Sequence, residues 1–213
     1  VILYGYRGTD NKEIIMPAAW PGFTAAMNSW FCGNARGDTD EDWQEAGAPT
    51  AKKIADEYEL AITTAGITVP GNLLASGWVK STMESGWKTS FKLVFDSASV
   101  PPEGLDLGVP NWIPAATGTV NAWAAAQYQP VPPHPPTVAP APGVTQLDPG
   151  LGAIPALAST INDAFHSNNC GAIAGILVSG FTQHLTMISG LYTGLVPTPA
   201  GPVPTPVPWM GVS

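Results

Sequence analysis

The chain has 213 residues, a formal net charge of −8 and 45% apolar residues, enough for one large or two small domains with a real core. The negative charge argues against a nucleic-acid-binding protein, which needs a basic face to neutralise phosphates. It also argues against binding to an anionic membrane surface. Residues 1–92 hold all eight cations and eleven of the sixteen acids, whereas residues 93–213 hold five acids, no lysine or arginine and nineteen of the 23 prolines. So long a segment without cations is poorly solvated by itself, and we expect other subunits to cover much of its surface.

The first part of the chain predicts an extended arm, a helix and an acidic loop. Residues 1–15 are β-prone and interrupted by glycines, whereas residues 18–32 place apolar side chains at helical spacing and predict a helix that begins near Pro21. We interpret residues 33–48 as a solvated loop. Its Arg-Gly-Asp tripeptide is too short to indicate cell adhesion, and its alternating aspartates lack the glycine and glutamate of an EF-hand calcium loop.

Residues 50–66 form the clearest predicted helix. Thr50 is placed to cap its N-terminus, and Gly66 is placed to end it. Its apolar face recurs at helical spacing, at Ile54, Ala55, Tyr58, Ala61 and Ile62. Residues 72–98 predict a second helical region, weakened by glycines but with an aromatic stripe in its later half. Residues 1–98 are therefore predicted to be an N-terminal helical region with an extended arm.

The middle of the chain is dominated by proline. We predict a loop and a helix over residues 99–128, with the loop containing Trp112 and the helix spanning residues 117–128. Residues 129–150 contain eight prolines and predict a stiff, extended linker that cannot form the interior of a sheet.

Residues 151–196 are predicted to be a C-terminal helical region. An amphipathic helix is expected over residues 153–168 and a long apolar helix over residues 171–196. The second stretch has the length of a membrane span, but polar residues lie at its centre and no cation flanks it, so we predict a buried helix. Residues 197–213 are interpreted as an extended Pro-rich tail.

The chain offers little catalytic or metal-binding chemistry. Cys32 and Cys170 are interpreted as buried or free thiols, with a long-range bridge or a Cys–His metal site as alternatives. His166 and Cys170 are four residues apart, yet zinc sites normally need three or four closely spaced ligands. No nucleophile elbow, P-loop or dinucleotide fingerprint is present in the sequence. We therefore predict no cofactor, no metal and no enzymatic activity.

The C-terminal half carries a pattern of motifs. A stretch with two Thr residues from Phe181 to Thr186 leads to Gly190, then to a Gly-Leu-Val-Pro sequence at 194–197 and a closing Pro-Val-Pro-Trp-Met-Gly tail. With Tyr128 ahead of the Pro-rich run, this pattern over residues 117–213 resembles small uncharacterised virion proteins of tailed bacteriophages, particularly contractile-tailed ones. The resemblance implies a structural role in the neck, tail or baseplate, and it implies no catalytic residues.

We therefore predict a mainly α protein, a small helical bundle with long extended Pro-rich arms and little β structure. Its predicted function is that of a structural subunit of a multi-protein particle, a virion component assembled in the host cytoplasm. Its expected partners are other particle subunits, including copies of itself, and neither nucleic acid nor membrane. The predicted contact residues are Trp112, Tyr128, Pro132, Pro133, Pro135, Pro136, Phe181, Leu185 and Trp209. The alternative is a secreted or surface binding module that meets a receptor through the acidic loop 33–48.

Overall fold

The computed structural model describes residues 20–33, 40–64, 68–69, 73–97, 108–130, 140–167, 169–196, 198–201 and 203–210. The described residues form six α-helices: α1 (Trp20–Gly33), α2 (Asp40–Thr64), α3 (Lys80–Ser97), α4 (Ile113–Asn121), α5 (Ile154–His166) and α6 (Cys170–Met187). Short 3₁₀ turns at Val109–Trp112 and Leu151–Ala153 lead directly into α4 and α5. The predicted fold class is confirmed, because the described residues are mainly α-helical and their helices form a bundle.

The helices share one core that is rich in aromatic rings. The ring of Trp112, just ahead of α4, stacks on Phe165 of α5 with centroids 4.8 Å apart. Tyr58 of α2 meets Phe181 of α6 edge to face at 5.0 Å. Such pairs add about 0.5–1.5 kcal/mol each to the free energy gained by burying the rings. Since the buried residues of all six helices belong to one cluster, the N-terminal and C-terminal helical regions are parts of one folded unit.

Helices α1 and α6 run antiparallel and are joined near both ends. Trp20, the first residue of α1, stacks on Phe181 at 6.0 Å, towards the end of α6. At the opposite end, Cys32 of α1 is disulfide-bonded to Cys170, the first residue of α6. The apolar stripe predicted for residues 18–32 therefore packs as expected, with Phe23, Met27 and Phe31 buried.

Helices α3 and α4 cross at two glycines. A Cβ atom on Gly86 would lie 2.4 Å from the carbonyl oxygen of Pro114, and one on Gly118 would lie 2.9 Å from the Cα of Gly86. No larger residue fits this crossing without moving the backbone. Beside it, the Trp87 indole donates to Thr119 at 3.1 Å and the Ala115 amide donates to Ser90 at 2.9 Å, so the polar groups next to the crossing are paired.

Two small antiparallel sheets accompany the bundle. The first has the order β1-β2-β3, from strands Thr68–Val69, Leu73–Ser76 and Gln127–Pro130. The second has the order β4-β5-β6, from strands Pro140–Asp148, Ser189–Val196 and Val203–Met210. Prolines lie in the two outer strands, β4 and β6, whereas the central strand β5 has none. This distribution follows from chemistry, because proline has no N–H and can pair on one side only.

Helix α2 begins ten residues earlier than predicted. The loop assignment for residues 40–48 and the N-cap assignment for Thr50 are wrong, because the helix starts at Asp40 and continues through Pro49. Thr50 is buried and accepts a hydrogen bond from the Trp30 indole of α1 at 3.0 Å. This hydrogen bond joins α2 to α1 directly after Pro49, a residue type that costs about 3 kcal/mol in the interior of a helix.

Three other boundaries differ from the prediction. Helix α4 begins at Ile113, inside the predicted loop, and ends at Asn121, after which the chain turns and enters β3. The long helix predicted over residues 171–196 is instead helix α6 followed by strand β5. Residues 140–148 of the predicted linker and 203–210 of the predicted tail are extended, as expected, but they pair with β5. Residues 1–15 and 131–139 lie outside the described residues.

Candidate interaction surface

The exposed side of α2 and α3 is covered by ion pairs. Lys80, the first residue of α3, reaches Asp56 at 3.0 Å and Glu59 at 2.8 Å on α2. The hydrogen bonds that Lys80 donates to Glu59 and Asp56 raise the pKa of Lys80 above its ordinary value. Burial raises the pKa of Asp56, but hydrogen bonds and charge from Lys52 and Lys80 outweigh burial and leave that pKa lowered. We call this surface the charged face.

Further pairs within each helix extend the charged face. Lys53 reaches Glu57 at 2.5 Å on α2, and Lys88 reaches Glu84 at 2.6 Å on α3. Pairs four residues apart on a helix stabilise it by a few tenths of a kcal/mol each and keep the surface hydrated. The charged face therefore has the character of an ordinary solvated surface.

The exposed side of α6 has no charge. Its outward residues recur every four positions and are small or neutral: Gly171, Gly175, Ser179 and Gln183. We call these four residues the neutral face. A Cβ atom on Gly175 would meet nothing within 4 Å, so a neighbouring backbone can approach α6 closely at this point. From residue 108 to the end of the sequence, Asp148 and Asp163 are the sole acids and there is no lysine or arginine.

The neutral face is fixed at its N-terminal end by the disulfide. Cys32 and Cys170 have Cα atoms 5.1 Å apart and are 138 residues apart in the chain. The interpretation of these residues as thiols is therefore wrong, and the alternative of a long-range bridge is correct. Next to the bridge, the Asn169 side chain accepts a hydrogen bond from the Gly171 amide at 3.1 Å and caps α6.

The neutral face is fixed at its C-terminal end by His184. This side chain is buried, and its Nε2 donates to the carbonyl oxygen of Pro149 at 2.8 Å, since a carbonyl can only accept. Its Nδ1 finds no hydrogen-bond partner among the described residues. Burial lowers the pKa of His184, although the bond to Pro149 opposes this effect, and the imidazole is therefore neutral at pH 7.

His184 also links α6 to the turn that follows β4. Gly150 has a φ of 79°, a left-handed conformation that favours glycine, and its amide donates to Asp148 at 2.8 Å. A Cβ atom on Gly150 would lie 3.3 Å from the His184 ring. With the disulfide at the other end, α6 is held rigidly, and its outer face is a fixed platform rather than a mobile loop.

The structure divides the nine predicted contact residues. Trp112, Phe181 and Leu185 are at most 1% exposed, so they belong to the core and their prediction as contacts is wrong. Tyr128 lies in β3 opposite Ala75, and Trp209 lies in β6 opposite Gly190. The remaining four, which are Pro132, Pro133, Pro135 and Pro136, lie outside the described residues.

Sequence reasoning missed Ser179 and Gln183 as surface residues of interest. The signal was present, because Gly171, Gly175 and Ser179 repeat every four residues, opposite the buried stripe Ile173, Leu177 and Phe181. The sequence pattern instead predicts a buried helix over residues 171–196. Its position on the outside of the bundle depends on which side of α6 the other helices cover, which the local sequence does not specify.

The described residues show no other obvious chemistry. They contain no cluster of three or more His, Cys, Asp or Glu side chains that could bind a metal. None of the described helices combines the length and the hydropathy required to cross a bilayer. The Arg-Gly-Asp tripeptide at 36–38 falls outside the described part of the chain.

No protein-family model, curated protein or solved structure matches this chain.

Proposed function

We propose that this protein is a structural subunit of a multi-protein particle and that it binds neighbouring subunits through the neutral face of α6. The single observation that carries the proposal is the contrast between two surfaces of one bundle. The charged face of α2 and α3 bears five ion pairs, whereas the neutral face bears no charge. The buried centres of protein–protein interfaces are depleted in charged residues in the same way.

The energetics of contact favour the neutral face over the charged one. Covering an ion pair removes water from both charges, and the attraction between them often does not repay that cost. Covering glycine and serine removes little hydration, and small side chains lose little conformational entropy when they are ordered. A rigid helix held at both ends also binds without an ordering cost of its own.

The resemblance to virion proteins of tailed bacteriophages supports a phage particle as the setting, in the neck, tail or baseplate. Such a subunit is assembled in the host cytoplasm and has other particle proteins and copies of itself as partners. No part of this role requires a catalytic residue, a cofactor, a nucleic acid or a membrane.

Light scattering on the isolated chain over a range of concentrations tests the proposal. We expect the average mass to rise with concentration, because copies associate through the neutral face. Limited proteolysis should use a broad-specificity enzyme, since trypsin has no site after Lys92. A chain that stays monomeric at every concentration and resists proteolysis throughout would contradict self-association.

The disulfide favours a second candidate, a secreted or surface binding module. Disulfides persist in oxidising environments and are rare in the cytosol. The acidic segment 33–48, which the binding-module alternative predicts to be a receptor-binding loop, is helical over residues 40–48. A particle subunit accommodates the same bridge if Cys32, whose side chain is exposed, is oxidised after the particle leaves the cell.

The order of oxidation and assembly separates the two candidates. Protein made in a reducing cytoplasm is divided into two samples, one kept reduced and one exposed to air. A thiol-alkylating reagent then labels the free cysteines of each sample, and the mass shows whether the bridge has formed. A particle subunit should fold and associate before the bridge forms, with a lower free energy of unfolding than the oxidised chain. A secreted module should fail to fold until the bridge forms and should remain a monomer afterwards.

A further inference from the structure

Among the described strands, β6 forms one edge of the second sheet, and it carries prolines at alternate positions. Its eight residues pair with β5 without a register shift, from Val203 opposite Val196 to Met210 opposite Ser189. Three of these residues are proline, at positions 204, 206 and 208. Pro206 is exposed to solvent.

The hydrogen-bond pattern of an antiparallel pair fixes the direction of these prolines. Successive residues of a strand direct their N–H and C=O groups alternately towards the partner strand and away from it. Proline has no N–H. If the three prolines faced β5, β6 would donate no hydrogen bond over most of its length, and the continuous pairing could not form.

Thr205 and Val207 therefore direct their backbone groups towards β5, and the three prolines direct theirs outwards. The outer edge of β6 thus presents a row of carbonyl oxygens about 7 Å apart, twice the rise per residue of a strand. No N–H group lies between them. Between Pro204 and Pro208, whatever approaches this edge meets acceptors and no donors; the next outward N–H belongs to Met210, at the end of the strand.

We infer that the outer edge of β6 ends the sheet: it accepts hydrogen bonds from water or from donor-only side chains, and it excludes another strand. An incoming strand would leave each of its facing carbonyls against a proline nitrogen, unpaired and desolvated. Arginine, lysine and tryptophan side chains donate without needing to accept, so they are the partner groups that this edge fits. The inference stands whether or not the chain is a particle subunit.

Amide hydrogen exchange on the wild-type chain tests the direction of the prolines. The amides of Thr205 and Val207 should be protected, because they donate to β5, and they should exchange more slowly than the amides of an unfolded chain by at least about 100-fold. Exchange of both amides at the unfolded rate would show that the prolines do not face outwards, and the inference would be overturned.

Replacement of the prolines tests whether the edge excludes strands. The triple variant P204V/P206V/P208V restores three N–H groups on the outer edge, and the single variant Thr205→Val adds a similar apolar surface without adding an outward donor. Far-UV circular dichroism establishes that both keep the helical bundle. In sedimentation velocity, the triple variant should form dimers or larger species at concentrations where wild type and Thr205→Val sediment identically.

A folded triple variant that sediments like wild type would overturn the inference. Should the triple variant fail to fold, Pro206→Val alone restores the central donor and is measured in the same way. This test does not depend on whether wild type self-associates through the neutral face. Each variant is compared with the wild-type sedimentation profile under identical conditions.

Discussion

The two helical hairpins of this bundle bury their inner sides in the same core but present very different outer sides. Helices α2 and α3 carry lysines and acids in ion pairs, while α5 and α6 together carry one acid, Asp163. Both outer sides belong to long, well-packed helices, so the difference does not reflect poor folding of one half. We propose that this difference in charge reflects what each surface contacts.

The two regions are also held in place by different means. The α2–α3 pair is joined across its surface by Lys80, and α3 meets α4 through a close backbone crossing at Gly86. Helix α6 is fixed by the disulfide at Cys170 and by the buried His184. The neutral region is therefore held in place by covalent and buried contacts. The side chains of Ser179 and Gln183 are exposed on its outer side.

Removal of the disulfide should have the largest effect. A bridge between residues 138 apart restricts the unfolded chain, and the loop-entropy relation gives about 5 kcal/mol of stabilisation. The double variant Cys32→Ser/Cys170→Ser should lower the free energy of unfolding by about that amount in urea titrations. Reduction of wild type should match the double variant. Equal urea midpoints for oxidised and reduced protein would show that the bridge does not anchor α6.

Two glycine replacements compare the regions directly, since each glycine lies near the middle of an 18-residue helix. Gly86→Ala should destabilise by about 3 kcal/mol, because its Cβ would overlap the backbone of α4. Gly175→Ala should stabilise the monomer by up to about 1 kcal/mol, because alanine favours the helix and the site is open. Thermal unfolding measured at low protein concentration checks both. Destabilisation by Gly175→Ala would mean that the neutral face is packed within the monomer.

The pH dependence of stability should report on His184. Burial lowers its pKa in the folded state, so between that value and the unfolded value of about 6.5 the unfolded chain binds more protons. Stability is therefore fully present above about pH 6.5 and falls as the pH decreases, by at most about 1.4 kcal/mol per pH unit from this group. His184→Gln can still donate to Pro149 but cannot titrate. The urea midpoint of this variant should change less with pH below about pH 6.5 than that of wild type. An identical pH dependence would contradict the role given to His184.

Loss of the Lys80 ion pairs should have the smallest effect. Exposed pairs contribute at most about 1 kcal/mol, and Lys80 is about one-third exposed. Lys80→Met should therefore shift the urea midpoint slightly at low salt and hardly at all at high salt, where charge is screened. A large loss of stability would mean that the fold depends on the ion pairs of the charged face. The charge difference between the two regions could then no longer be explained by their contacts alone.

The spacing of apolar residues is sufficient to predict a helix and its buried residues where the helix has one apolar stripe and clear ends. The predicted helix over residues 153–168 matches α5, and Ile161 and Phe165 are buried as the pattern requires. The end of α6 could not be predicted, because Ser189–Val196 continues the apolar run. This segment is a strand because it pairs with β4 and β6, and β4 lies some fifty residues earlier in the chain. The same limit applies to Cys32 and Cys170, whose proximity depends on how α1 and α6 pack.

The candidate surface was harder to predict than the fold. Phe181 and Leu185 are among the predicted contacts, but both side chains are buried in the core. Ser179 and Gln183 lie on the same helix and have no property that marks them in isolation. Their significance comes from what surrounds them, which is the absence of charge across α6 and its contrast with α3.

The measurement that tests the central claim most directly compares one new lysine on each face. Ser179→Lys places a cation on the neutral face, and Ser85→Lys places one at an exposed serine within α3. Both variants should keep the wild-type circular dichroism spectrum. We expect Ser179→Lys to weaken self-association at least about 10-fold in sedimentation equilibrium, since a buried unpaired charge costs more than 1.4 kcal/mol, and Ser85→Lys to associate like wild type. Equal association of the two variants, or loss of association in Ser85→Lys alone, would contradict the neutral face as the surface that binds neighbouring subunits.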